Sequence, residues 1–474
     1  MTEATMQATA LWPEVAAYDP TPEERPGLPP GPAGPALVQF ARAGLRPTGF
    51  FEHCAARYGD PFTVRFPGTP PIVFFSHPDA VRDIFTGQPD LLRAGEANVQ
   101  LAPLLGQHSL LLLDGGSHLG ARRLMLPSFH GERMQAYARL FAEIADRVID
   151  RWRVGWPFPI HREMQAITLD VILRAVFGLE EGAALTELRA RLLRLIGFVT
   201  GPAGFFLFLP VLQTDLGPLS PGGRFTRYLR AVDEVLFAQI ARRRAEGTAG
   251  RVDVVSLLLE ARYEDGSAMT DEALRDEMIT LLLAGHETTA TSLAWAFHHL
   301  LANPEVMAEV HAELDRVVGG GPLAPEHVTA LGYLDAVVKE TARLTPVVPY
   351  VGRRLQVPMR IGGRLLPSGV VASPCIWLTH HRPDVWSEPD RFRPERFVGL
   401  RPSPYAFLPF GGGVRRCIGA AFATYEMKVV LARVLSRATL RRAPGPPIGT
   451  VRRTVTLAPS RGMPVVVDRI RPAA

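Results

Sequence analysis

The stretch Phe410-Gly411-Gly412-Gly413-Val414-Arg415-Arg416-Cys417-Ile418-Gly419 constrains this chain more than any other. A glycine-rich loop delivers one cysteine, flanked by arginines, to an apolar helical run that opens at Ala420. A thiolate there gains from the positive helix end and from the guanidinium groups, both of which lower a cysteine pKa. The glycines let backbone N–H groups turn toward the sulfur and let the loop lie close under a flat ligand. Thiolate is also an axial ligand of haem iron, to which it pushes electron density in favour of O–O cleavage. The plain alternative is a buried cysteine that packs as a small hydrophobe. A core cysteine needs neither the glycines nor the arginines, so the loop favours the chemical reading.

At 474 residues the chain is long enough for about three domains on size alone. No linker or repeat period divides it. A hydrophobic content of 47% with 21% charged residues describes a globular protein with a large core. Three cysteines cannot build a disulfide framework, and Cys54 and Cys375 lack metal-ligand spacing to each other or to Cys417. That suits a reducing compartment, so a cytoplasmic location is expected. Of the 52 basic residues only Lys339 and Lys428 are lysine, so an isolated arginine carries little information. The net charge of +5 is modest, and no basic run interleaved with aromatics points to nucleic acid.

The chain opens with acidic residues and no basic n-region, which argues against a secretory signal. Leu195 to Thr214 is uncharged and rich in phenylalanine (Phe198, Phe205, Phe206, Phe208), and about 20 residues can span a bilayer. Gly197, Gly201, Pro202, Gly204 and Pro210 interrupt it, so a mobile apolar roof over a cavity fits better than a transmembrane anchor.

Residues 1–27 read as a flexible lead-in, with a proline-rich stretch from Pro20 to Pro35. Phe62–Phe66 and Ile72–Phe75 read as strands joined by a turn at Pro67-Gly68-Thr69-Pro70. Helical spacing dominates from Gly131 to Glu260, and strand-like pieces return at Met359–Val371 and Thr450–Val467. A long helix is expected from Asp271 to Ala302, about 48 Å, capped by Thr270 and stopped by Asn303-Pro304. Gly285 in its middle costs about 1 kcal/mol against alanine, which a flat cofactor or dioxygen against the backbone would explain. The Thr288 hydroxyl can bond back to a carbonyl and open the helix there. Glu340 and Arg343 share a helical face, as do His118 and Arg122.

Phe410, Gly411, Gly413, Arg415, Cys417 and Gly419 fill every fixed position of the haem-binding loop of the cytochrome P-450 superfamily, and the chain resembles that family over roughly residues 28–468. The resemblance implies one domain over 28–474: a mainly α prism fold with small β-sheet regions and a long central helix across the haem. It implies haem b, with Cys417 as its metal ligand and Phe410 beside it. His118, Arg122, Arg353 and Arg415 would bind the propionates, with Arg354 and Arg123 as adjacent competitors. Glu287 and Thr288 occupy the places of the family's acid–alcohol pair. Thr288 would hold reduced dioxygen and its water, and Glu287 would relay protons from outside. Glu340, Arg343 and Arg396 (in Phe392-Arg393-Pro394-Glu395-Arg396-Phe397) match the trio that keeps the cysteine loop in register.

The same correspondence places cavity walls at Ala94–Leu113, Leu195–Leu212, Leu282–Thr289 and Pro346–Val351, with Leu457–Met463 closing the end. Val99, Leu101, Leu104, Phe205, Phe208, Leu283, Val347 and Val348 would line them, without a carboxylate anchor. Leu37 to Phe85 and Phe129-His130-Gly131-Glu132-Arg133-Met134 look most like a soluble bacterial subgroup. The implied activity is a monooxygenase that hydroxylates or epoxidises an apolar substrate such as a fatty acid or terpenoid. The stretch beyond Cys417 is too short for a fused reductase. Electrons are therefore expected from a ferredoxin and its NAD(P)H-dependent ferredoxin reductase, docking near Arg415, Arg416 and Lys428. Two rivals stand beside it: a haem-thiolate enzyme that uses or rearranges peroxides, which would lack the acid–alcohol pair, and a non-catalytic haem sensor, which would need a partner domain.

Overall fold

The computed structural model describes residues 26–129, 133–179, 182–201, 210–251 and 253–473. Most of the expected lead-in, the segment with Phe205, Phe206 and Phe208, and His130 to Glu132 lie outside the described residues.

Six helices position the site: α1 (Gly115–Met125), α2 (Arg133–Ile149), α3 (Ile160–Ala175), α4 (Asp271–Leu300), α5 (Gly332–Leu344) and α6 (Ala420–Arg437). The Thr270 side chain accepts the Ala273 N–H, and Asp271 and Glu272 fill the first turn of α4. Both favour the positive helix end. Its 30 residues carry apolar groups around the whole circumference, so the helix runs through the interior. It ends two residues short of Ala302 because Ala302 and Asn303 take 3₁₀-type bonds, to the His299 and Leu300 carbonyls, ahead of Pro304.

α3 lies along α4, and Ile172 of α3 packs on Gly285, where a Cβ would fall 2.4 Å from its Cδ1. The glycine thus lets a side chain of α3 lie close on the α4 backbone. α6 packs on α2, where Arg433 and Arg437 both reach Asp146 and Arg437 also reaches Asp150.

A five-stranded sheet has the order 62–64, 72–75, 371–374, 353–355, 92–93. The parallel register Ile72↔Val371 joins segments from opposite ends of the sequence. Phe51, Phe74 and Tyr350 meet edge-to-face beside it. Three smaller sheets complete the strands, among them the hairpin 450–453/456–459, with Arg453 opposite Thr456. Among the described residues no helix is long and apolar enough to cross a membrane.

Candidate functional site

The cysteine loop is shaped by backbone geometry. Gly413 has φ +63°, and a Cβ on it would meet the Phe85 carbonyl oxygen at 2.2 Å. A side chain at Gly412 would strike the Phe85 ring. The Cys417 N–H donates to the Phe410 carbonyl at 2.9 Å, which closes the loop just before α6.

Cys417 is exposed, yet desolvation by surrounding protein pushes its thiol pKa up. An accessible surface together with crowding describes a recess inside the molecule. The Gly419 backbone N–H, Arg122 and Arg416 pull the other way and lose. The lowered pKa expected from helix end and arginines is thus corrected: burial outweighs both. Coordination to a metal cation would reverse this, since it deprotonates a thiol outright.

Beside the loop, positive groups converge. His118 is buried, and its pKa is pushed down to about 3 by burial and by Arg415, Arg122 and Arg353. Arg415 donates to the Leu110 carbonyl at 3.1 Å and pairs with Asp114 at 2.5 Å. Arg353 is buried, donates to the Gly352 carbonyl and lies over the Phe85 ring. Burial and Arg415 push its pKa down to about 10. Neighbouring strand residues point to opposite faces, so Arg354 turns outward to Glu96. Arg123 likewise leaves the cluster and pairs with Glu264. Among the described residues neither Arg122 nor Arg353 has an acidic partner at ion-pair distance. Buried Arg353 and half-buried Arg122 thus lie side by side with more positive charge than Asp114 offsets, and an anionic ligand would balance it. This donor set suits the two propionates of haem, so the residues fit the group.

α4 opens where the family correspondence requires. Ala284 is exposed and Leu283 and Thr288 are half-buried, in a helix otherwise almost wholly buried. The Thr288 hydroxyl donates to the Ala284 carbonyl at 2.5 Å. Glu287 points elsewhere, toward α3. Its Oε2 accepts from Gln165 Nε2 at 2.6 Å, and Oε1 lies 3.7 Å from His161 and 3.6 Å from Arg453. Burial raises its pKa against the pull of Arg453 and Gln165.

A buried frame supports the loop from behind. Glu340 Oε1 accepts from Arg343 (2.8 Å), Arg396 (3.3 Å) and the Arg393 N–H (2.9 Å), while Oε2 accepts from Arg343 Nε at 2.7 Å. Both arginine partners are fully buried. Sequence reasoning missed His380. Its Nε2 accepts the Leu408 N–H at 2.7 Å, so Nδ1–H donates to the Arg343 carbonyl at 3.0 Å. Burial holds its pKa well below the usual value, and the ring stays neutral as this bonding requires.

Two further expectations need correction. Lys428 is buried and lies 4.0 Å from Asp335, because α6 is packed on nearly every side; of the three docking candidates only Arg416 is exposed. Leu457 and Met463 are core residues, and the 457–463 segment closes the wall through its backbone, with Leu457 N–H donating to the Val347 carbonyl. Val99, Leu101, Leu104, Leu283, Val347 and Val348 are at least partly open; Phe205 and Phe208 lie outside the described residues.

A long buried helix opened at its centre, with a recessed cysteine loop on a Glu-Arg-Arg frame, defines the class of haem-thiolate monooxygenases. The cytochrome P450 family model matches residues 26–463, and the chain belongs to that family. It is 42% identical over 418 residues to a Mycobacterium tuberculosis protein named cytochrome P450 135B1, covering 87% of this chain and 86% of that one. With cytochrome P450 138 of the same organism it shares 38% identity over 447 residues, 93% and 96% of the two chains. Among solved structures, retinoic acid-bound cyanobacterial CYP120A1 superposes with a TM-score of 0.82 at 25% identity, over 94% of this chain and 100% of that one. The heme domain of cytochrome P450DA gives 0.81 at 24% identity, which shows the shared fold.

Proposed function

We propose that Cys417 is the axial thiolate of haem b, with Phe410 beside it and His118, Arg122, Arg353 and Arg415 around the propionates. The observation that carries this is the cluster of Arg122, Arg353 and Arg415 next to the recessed sulfur, in which only Arg415 has an acidic partner among the described residues. Bound there, a haem with a thiolate ligand supplies the dioxygen activation that inserts one oxygen atom into substrate.

The protein's own residues supply position and protons. Thr288 commits its proton to the Ala284 carbonyl, which leaves its lone pairs to hold a water or a polar group in the opening of α4. Gln165 fixes Glu287 Oε2 and leaves Oε1 without a hydrogen-bond partner to take up and pass a proton, and burial favours the protonated form. Arg453 is one-third exposed and marks the side from which that proton is replaced. The helix keeps bulk water from the opening while this pair passes protons in order.

The substrate is an apolar molecule of fatty-acid or terpenoid type, hydroxylated or epoxidised. Partly open aliphatic side chains at Leu101, Leu104, Leu283, Val347 and Val348 support this, and the neighbour bound to retinoic acid is in keeping with it. A ferredoxin and its NAD(P)H-dependent reductase supply electrons, with exposed Arg416 as the nearest docking charge. The haem unit comprises residues 28–474. Cys54 and Cys375 lie in one core cluster as free thiols, which fits a cytoplasmic setting.

Titration of the ferric protein with fatty acids, terpenoids, steroids and aromatic polyketides tests the reading. A low-to-high-spin shift with a fatty acid or terpenoid, followed by oxygenated product with ferredoxin, reductase and NAD(P)H, is expected. A shift confined to the other classes overturns the substrate assignment. Thr288→Ala should raise hydrogen peroxide released per NAD(P)H severalfold; unchanged coupling removes Thr288 from the relay.

A further inference from the structure

Behind α1, on the face turned away from His118 and Arg122, lies a cavity of about 570 Å³ between α1, residues 263–269 and the first turns of α4. We propose that it is a second ligand site, for a small organic cation with an apolar or aromatic body. Glu277 lines its wall at 1% exposure, and among the described residues no side chain pairs with its carboxyl, which has only the Leu110 backbone N–H beside it. A buried carboxyl is normally paired, since leaving it unmatched costs free energy. The adjacent Asp276 shows the contrast: it takes Arg275 at 2.9 Å and both the backbone N–H and the ring of His108. α4 thus sets two acids side by side, satisfies one and leaves the other at the cavity.

The surroundings suit a cation. The Tyr263 ring forms part of the wall, and its hydroxyl pKa is raised by burial and by Glu277, which places the two close together. Such a ring face attracts an ammonium group. Gly116, Gly120 and Ala273 leave room for the ligand's body, and a Cβ on Gly120 would approach Tyr263 at 3.7 Å. Glu264 and Asp265 stand at the same cavity, where the basic groups are Arg123, paired with Glu264, and His108, bonded to Asp276.

Without a ligand, burial and the neighbouring Asp276 raise the Glu277 pKa to about 8 against the pull of the Leu110 backbone N–H. The carboxyl is then largely neutral at pH 7. An entering cation favours the carboxylate, so binding releases up to one proton and charge is conserved. Affinity should therefore rise about tenfold or more between pH 6.5 and 8.5.

The test is calorimetric titration of the ferric holoenzyme with benzyltrimethylammonium, whose quaternary nitrogen has no lone pair for iron. One equivalent should bind with the Soret band unmoved, more tightly at pH 8.5, and at least tenfold better than the uncharged isostere neopentylbenzene. Glu277→Gln should weaken the cation tenfold or more. Gly120→Leu, which fills the cavity and keeps the charge, should weaken it similarly and serves if the Gln variant does not fold. Equal binding by either variant, equal binding of the isostere, or no binding overturns the proposal. A Soret shift assigns the cation to the haem cavity and overturns it as well, while the haem reading stands or falls on its own spectra.

Discussion

At the scale of single residues, a side chain's role depends on what the backbone lets it reach, and Arg353 and Arg354 show this. The sequence offers two adjacent arginines and no means of choosing between them in an arginine-rich chain. Strand alternation turns one into the cation cluster and the other out to Glu96. If Arg353 holds a propionate, Arg353→Ala removes a charge-assisted hydrogen bond worth about 1.5–3 kcal/mol. Haem transfer to apomyoglobin should then accelerate about tenfold or more, while Arg354→Ala leaves the rate near wild type. Equal rates for both variants would dismiss Arg353 as a haem ligand-binding group. The cysteine pKa was misread for a related reason: motif chemistry displays the arginines and the helix end, but desolvation is a property of the folded surroundings.

Among the elements, those with a local signature were legible: the cap at Thr270, the stop at Asn303-Pro304, the turn at Pro67-Gly68 and the shared face of Glu340 and Arg343 all appear in the folded chain. What was not legible arises between elements. Gly285 meets Ile172 of another helix, Lys428 is covered by packing on α6, and His380 links the frame to the cysteine loop only after α5 and the short helix Ile376–His380 meet. That link gives a graded prediction. Glu340→Gln leaves two buried guanidiniums short of a counter-charge and should cost about 3–5 kcal/mol, with little folded holoenzyme recovered. His380→Leu leaves the Leu408 N–H unpaired, a loss of about 1–3 kcal/mol. It should fold with a lowered Tm and a reduced thiolate-ligated fraction in the reduced carbon monoxide spectrum. A His380→Leu protein with full thiolate character and wild-type Tm would show that the strut ends at Arg343.

For the molecule as a whole, buried titratable groups set the pH range of stability. Burial lowers the pKa of His118 and His161 to about 3 and of His286 and His298 to about 4, and it holds His299 and His380 well below the usual value. Such bases stabilise the fold fully above their unfolded value of about 6.5, and that stability is lost as pH falls through it. Burial raises Glu277, Glu287 and Glu426 instead. Their contribution is full below about 4.5 and is lost as pH rises toward the folded values, about 8 for Glu277. The smaller shifts of His311 and His381 oppose those of Asp170 and Asp233. Between pH 4.5 and 6.5 the six lowered histidines outnumber the raised carboxyls, so unfolding takes up protons on balance and stability falls on acidification. Above pH 7 the histidine slope vanishes and the raised carboxyls act alone, so stability declines again as pH rises toward about 8. The Tm of the holoenzyme, followed from pH 5 to 9, should peak between about 6.5 and 7 and fall on either side. A flat profile from pH 5 to 8 would mean that the buried histidines are matched by protonated partners in the fold.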